Sequence, residues 1–194
     1  MRGEAALDIH AADSLSALAL DSVRSAHAIA DIGSGAGFPG VVLAIALPSA
    51  SVALIESASR KCEFLERLIK AAGVENARVV NARVEELGDG LDGQDVVTAR
   101  AVAPLAVLCE YAAPLLRLDG RLVAWKGELA ADEEAAASRA AQLLGLRGEE
   151  AVRSAPYAGS VAHRLYVFRK VAPTPPRFPR RAGMARKRPL GDAS

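Results

Sequence analysis

The chain has only 2 cysteines, 3 histidines and one tryptophan in 194 residues, and aromatic side chains make up 4% of it. Cys62 and Cys109 lie far apart in helical patterns, which argues against a disulfide framework and for buried, reduced thiols in a cytoplasmic protein. No His/Cys cluster has metal-ligand spacing, so a metal site is not expected. No apolar run reaches the length of a membrane span. Met1 to Asp13 carries acids and no apolar stretch of the kind a signal peptide needs.

Net charge is small overall and uneven locally. The formal net charge is +1, yet residues 1–150 hold 14 basic against 22 acidic side chains, and residues 151–194 hold 10 against one. Arg177, Arg180, Arg181, Arg186, Lys187 and Arg188 form an acid-free basic cluster. Such a tail on an acidic body suits a polyanion, because each neutralised phosphate releases counterions. The competing reading is a solvated terminus without a partner.

Half of the chain is apolar, enough for one sizeable core. Strand and helix patterns alternate. Strands are expected at Ala26–Ile32, Ser51–Ile55, Arg78–Val80, Asp95–Thr98 and Arg121–Trp125. Helices are expected at Leu15–Val23, Val41–Leu47, Ser59–Ala72, Leu105–Leu116 and Glu133–Leu144. Val152–Ala155 and Leu165–Val171 read as a closing antiparallel pair. Repeated β-α units imply a mostly parallel sheet, here of seven strands, with helices on both faces. From Ala172 onward the pattern dissolves into Pro, Arg and Gly.

The most informative stretch is Asp31-Ile-Gly33-Ser-Gly35-Ala-Gly37-Phe38-Pro-Gly40, a strand end running through four glycines into a helix. Such a turn brings backbone N–H groups close to a ligand with no side chain between. It matches the dinucleotide fingerprint only formally, because Gly33 closes the strand and Phe38 then stands where the third glycine belongs. An acid-x-Gly-x-Gly-x-Gly reading fits better. The Asp31 carboxylate suits a positive group, such as the amino group of S-adenosylmethionine (AdoMet), and suits a pyrophosphate poorly. Glu56, at the end of the second strand, is placed to accept hydrogen bonds from both ribose hydroxyls; its alternative is an exposed acid before a helix. Val84 and Glu85, after the third strand, are placed to pack on an adenine face and bond its edge, or simply to start a helix. NAD is the runner-up cofactor, but no acid/base for hydride transfer is identifiable.

After the fourth strand comes Thr98-Ala99-Arg100-Ala101-Val102. It contains neither the Asn/Asp-Pro-Pro-aromatic loop used on exocyclic amines nor a nucleophilic Cys for pyrimidine carbon five. An acceptor with a free lone pair, such as guanine N7, requires neither. The Arg100 guanidinium matches the paired O6 and N7 acceptors of guanine; it could equally serve a cofactor carboxylate or a surface salt bridge. Lys126, at the tip of the fifth strand, stands at the same sheet edge, as a phosphate contact or an ordinary strand-end lysine. Phe38 either stacks on a flipped-out base or packs under the methionine arm. His163, Trp125 and Tyr111 read as structural.

The glycine stretch resembles that of the glucose-inhibited division protein B family, the bacterial small-subunit rRNA guanine-N7 methyltransferases. So do Leu54-Ile55-Glu56-Ser57 with Arg60-Lys61 and Phe64-Leu65, Ala82-Arg83-Val84-Glu85-Glu86, Thr98-Ala99-Arg100-Ala101 and Lys126-Gly127. The likeness runs from about His10 to Lys170. It implies a class I, Rossmann-like AdoMet-dependent methyltransferase with cofactor contacts at Gly33, Phe38, Val84, Glu85 and Arg100. The implied target is a guanine in the 530 loop of 16S rRNA, number 527 in the family. Asp31, Gly35 and Glu56 join the cofactor set from their positions, and Arg100 and Lys126 are the expected catalytic residues. The family carries N-terminal helix ahead of the His10-x-x-Asp13-Ser14-Leu15 stretch. Residues 1–25 are therefore read as the remnant of that segment, 26–171 as the AdoMet-binding domain, and 172–194 as a basic RNA-binding tail. Nothing argues against a monomer. Two other classes stay open: a methyltransferase acting on a small molecule, and an RNA-binding module without catalysis.

Overall fold

A computed structural model of the chain describes residues 2–87, 91–154 and 163–191. In chain order the elements are α1 (Arg2–Leu15), a 3-10 turn, α2 (Asp21–Arg24), β1 (Ala28–Ile32), α3 (Gly40–Ala46), β2 (Ser51–Glu56), α4 (Ser59–Ala71) and β3 (Ala77–Asn81). A second 3-10 turn at Val84–Glu86 is followed by β4 (Gln94–Arg100), α5 (Leu105–Ala112), β5 (Leu116–Lys126) and α6 (Ala131–Leu143). The chain closes with β6 (Leu146–Gly148), β7 (Val152–Ser154), β8 (His163–Lys170) and α7 (Met184–Lys187).

The sheet runs β3-β2-β1-β4-β5-β8-β6, with β7 also paired to β8. Pairings from β3 to β5 are parallel, and those of β5, β6 and β7 with β8 are antiparallel. Eight strands stand where seven are expected. The extra one, β6, is three residues long and too short to show an alternating pattern; it pairs with Leu146↔Lys170 while β7 takes the other half of β8. Ala155, the last residue of an expected strand, lies outside the described residues. The expected helix over Leu15–Val23 is also broken, because Leu20 is extended (φ −89°, ψ 122°) and α2 restarts at Asp21.

Strand alternation divides the core into two. Ala30, Ile32, Ile55, Val97 and Ala99 face α5, α6 and the C-terminal segment. Ile29, Val52, Leu54 and Val96 face α3, α4 and the N-terminal helices. Strand order reverses between β1 and β4, so a crevice opens at their carboxyl ends. Among the described residues no helix is long and apolar enough to cross a membrane, and no group of three or more His, Cys, Asp or Glu is placed to hold a metal ion.

The segment after Ala172 has no periodic pattern, yet it is docked. Phe178 and Ala185 are buried in the core shared with α5. Its anchor is ionic. Glu110 of α5 is 1% exposed and accepts from Arg180 Nη2 at 2.6 Å, Nε at 2.9 Å and the backbone N–H at 3.0 Å. Removing one partner of a buried pair leaves an uncompensated charge, whereas replacing both with apolar groups does not. Arg180→Ala is therefore expected to lose about 3 kcal/mol in urea denaturation, and Glu110→Leu/Arg180→Leu to recover most of it; equal stability of the single and double variants would contradict the pairing.

Candidate active site

The crevice holds a cavity of about 420 Å³, walled by Gly33, Glu56, Val84, Glu85, Val102 and Arg186 among others. That volume suits a cofactor-sized ligand. Most of these walls follow strand ends, and Arg186 comes from α7. Gly33 follows β1 with φ +69°, and a Cβ there would lie 2.8 Å from Val102 Cγ2. Glycine is required on both counts, and its backbone forms an open cradle. Gly33 and Ser34 donate their N–H groups to the Ile55 carbonyl at 2.8 and 3.1 Å, tying the turn to β2.

Glu56 ends β2 and is 7% exposed. Its Oε2 accepts from Gly35 N at 3.2 Å and its Oε1 from Ala58 N at 2.9 Å. Lys61 Nζ stands 3.9 Å from Oε2. A carboxylate fixed by two backbone donors while bordering the cavity has lone pairs left for hydroxyl donors. Val84 supplies an apolar surface. Glu85 Oε1 accepts from Tyr111 Oη at 3.1 Å and from Gly183 N at 2.9 Å, so its side chain is held from two directions. Burial and the nearby Glu85 push the Tyr111 phenol up from its ordinary pKa.

Asp31 departs from expectation. Its carboxylate is fully buried and does not border the cavity. Oδ1 accepts from Thr98 Oγ1 at 2.8 Å and Oδ2 from Gly40 N at 3.2 Å. In this arrangement the carboxylate ties β1 to β4 and to the first turn of α3. Gly40 has to be glycine, because a Cβ would overlap Leu54 Cδ2 and lie 2.7 Å from Asp31 Oδ2. Gly35 is likewise outside the cavity wall and acts through its N–H on Glu56.

A second constellation adjoins the cavity where β4 ends. Arg100 Nη1 lies 3.0 Å from Asp13 Oδ2, and its guanidinium carbon is 5.4 Å from the centroid of the Phe38 ring. The His10 ring packs against Phe38 at 5.4 Å. Asp13 is 4% exposed; its Oδ1 meets His163 Nδ1 at 3.1 Å and its backbone carbonyl accepts from Trp125 Nε1 at 3.0 Å. Arg100, Phe38, His10 and His163 thus gather around one buried carboxylate. Ala101, next to Arg100, adopts φ 56°, a strained conformation for a residue with a Cβ, and lines the cavity. Lys126 is apart from both groups, 3.5 Å from Glu133 Oε1.

Sequence reasoning brought Gly33, Glu56, Val84 and Glu85 to the cavity, and Phe38 with Arg100 beside it. It missed the centrality of Asp13, whose partners lie 87 and 150 residues away. Of the six tail cations, Arg180 is engaged by Glu110 and Arg186 Nη2 donates to the Val102 carbonyl at 2.9 Å; Arg177, Arg181, Lys187 and Arg188 are exposed.

Burial raises the Asp31 pKa from 3.8 to about 6, against the opposing hydrogen bonds of Thr98, Ser34 and Gly40. Between those values the native state holds a proton that the unfolded chain has released, so stability falls as pH rises through this window and levels off above 6. The stability of the wild type relative to Asp31→Asn is expected to drop by about 2 kcal/mol from pH 4 to pH 7. Urea denaturation at both pH values checks this; a pH-independent difference would contradict it.

The model of the GidB family, described as rRNA small subunit methyltransferase G, matches residues 4–156. The protein called ribosomal RNA small subunit methyltransferase G in Chloroflexus aggregans is 46% identical over 185 residues, covering 93% of this chain and 76% of the relative. Its namesake in Rubrobacter xylanophilus is 43% identical over 187 residues, covering 93% and 72%. Solved structures with the same fold include a SAM-dependent O-methyltransferase from Thermotoga maritima, with TM-score 0.63, 19% identity and coverage of 84% of this chain and 66% of that one. A precorrin-6y C5,15-methyltransferase from Geobacter metallireducens gives TM-score 0.61, 18% identity and coverage of 80% and 88%.

Proposed function

The chain belongs to the rRNA small subunit methyltransferase G family, and from that premise we propose that it methylates N7 of a guanine in 16S rRNA, at position 527, with AdoMet as donor. The observation that carries the reading is the Glu56 carboxylate. It borders the cavity at the switch point of the sheet, fixed by the N–H groups of Gly35 and Ala58.

The residues present fit AdoMet. Glu56 would take the ribose hydroxyls, Val84 would offer its methyl groups to the face of the adenine, and Gly33 leaves its backbone bare to the cavity. When bound, AdoMet supplies a methyl group already activated by its sulfonium. Guanine N7 carries a lone pair, so this chain needs neither a nucleophile nor a general base. Its task is to align the acceptor. Arg100 presents a guanidinium held by the buried Asp13, and that fork matches guanine O6 and N7. Phe38, between Arg100 and His10, offers a flat apolar surface to an unstacked base. His163, tied to Asp13, orients the cluster and is not called on to take a proton. The exposed cations Arg177, Arg181, Lys187 and Arg188 serve the RNA backbone.

Incubation with labelled AdoMet and undermethylated small subunits, followed by mapping of the modified nucleotide, tests the reading. Glu56→Ala is expected to weaken AdoMet binding at least about tenfold, the worth of hydrogen bonds to a charged group. Arg100→Ala is expected to lower kcat by about 10²-fold at saturating AdoMet. Label on a small molecule but never on the RNA would replace the acceptor; no uptake of AdoMet would remove the reading.

A further inference from the structure

The C-terminal segment docks on α5 beside the cavity and contributes two of its walls. Gly183 and Arg186 both line it. Gly183 donates its N–H to Glu85 Oε1 at 2.9 Å, across 98 residues of sequence. Arg186 Nη2 donates to the Val102 carbonyl at 2.9 Å, across 84 residues. Two anchors hold the segment: Phe178 and Ala185 in the core, and Arg180 on Glu110. Arg180 also donates from Nη2 to the Arg188 carbonyl at 2.8 Å, which fixes the C-terminal end of α7 to the same anchor. The position of Arg186 is therefore determined by the fold and not by its own chain flexibility.

We propose that residues 178–188 are a strap belonging to the cofactor site, in which Arg186 covers the end of the cavity bounded by Val84 and Glu85 and binds the planar base of the cofactor, while Gly183 sets Glu85. A guanidinium is planar and weakly hydrated, and it stacks on aromatic faces better than any other cation. The ligand class is a purine nucleoside, with Val84 on one wall and the Arg186 plane on another. Glu85 already carries two donors on Oε1, so Oε2 is left to accept from an exocyclic amine. This rests on the AdoMet reading above and assigns a role to two residues outside the nucleotide loop. The split within the basic cluster supports it. Arg180 and Arg186 donate hydrogen bonds to the protein body and Arg177 lies over the Phe178 ring, while Arg181, Lys187 and Arg188 are exposed.

Calorimetry of the full-length chain with AdoMet, alongside Arg186→Ala and Arg186→Lys, tests the strap. Arg186 is exposed, so its removal is expected to leave denaturation midpoints in place. Arg186→Ala is expected to raise the Kd and KM for AdoMet about tenfold, with kcat at saturation changed less than about twofold; Arg186→Lys, which keeps the charge and loses the plane, is expected to recover only part. Hydrogen exchange of the wild type is expected to show amides 180–188 slowed by AdoMet. Unchanged affinity in Arg186→Ala, together with unaltered exchange across the strap, overturns the proposal while the wild type still binds AdoMet. Failure of the wild type itself to bind AdoMet overturns the functional reading instead.

Discussion

A single buried carboxylate fixes the geometry on which the site is built. Asp31 sits near the end of the central strand β1 and adds side-chain bonds that tie together three neighbouring parts. These are the neighbouring strand β4 through Thr98, the first turn of α3 through the Gly40 N–H, and the glycine turn strung between. The turn needs φ +69° at Gly33 and no Cβ at Gly40, where one would overlap Leu54. The same turn bonds twice to the Ile55 carbonyl and then to Glu56, so the carboxyl end of β2 is placed by the end of β1. The cavity is a consequence of these bonds. Burial pushes the Asp31 pKa up to about 6, so the ionised carboxylate is held there at an electrostatic cost.

Most of the sheet was legible in the sequence because its strands alternate or run continuously apolar between glycine and proline breaks. The antiparallel closing pair was legible because no helix separates its members. Elements without periodicity were not. β6 has three residues, and α1 is a helix whose apolar positions do not make a clear stripe. The break at Leu20 depends on a backbone conformation that no propensity announces.

The site divides along the same line. Gly33, Glu56, Val84 and Glu85 were found because each follows a strand end, and strand ends can be counted in the sequence. Asp31 was identified from its place beside the glycine turn, but its partners Thr98 and Gly40 could not be read from the sequence, since a carboxylate there looks the same whether it faces a ligand or the protein. Asp13 and the strap were invisible as a group. Their contacts with the rest of the chain join residues 70 to 150 positions apart, and only folding brings them together. The basic cluster carried a true signal of charge, but composition alone does not say that Arg180 serves Glu110.

That long separation bears on the order in which the molecule is completed. A polypeptide is made from its N-terminus, so the strands and the glycine turn exist before Gly183 and Arg186 do. Until those residues dock, the cavity lacks the part of its wall that they supply. During that interval Glu110 lies in an apolar helix without its cation. Docking of residues 178–188 gives that buried carboxylate its cation and supplies Gly183 and Arg186 to the cavity wall, so one packing event completes both.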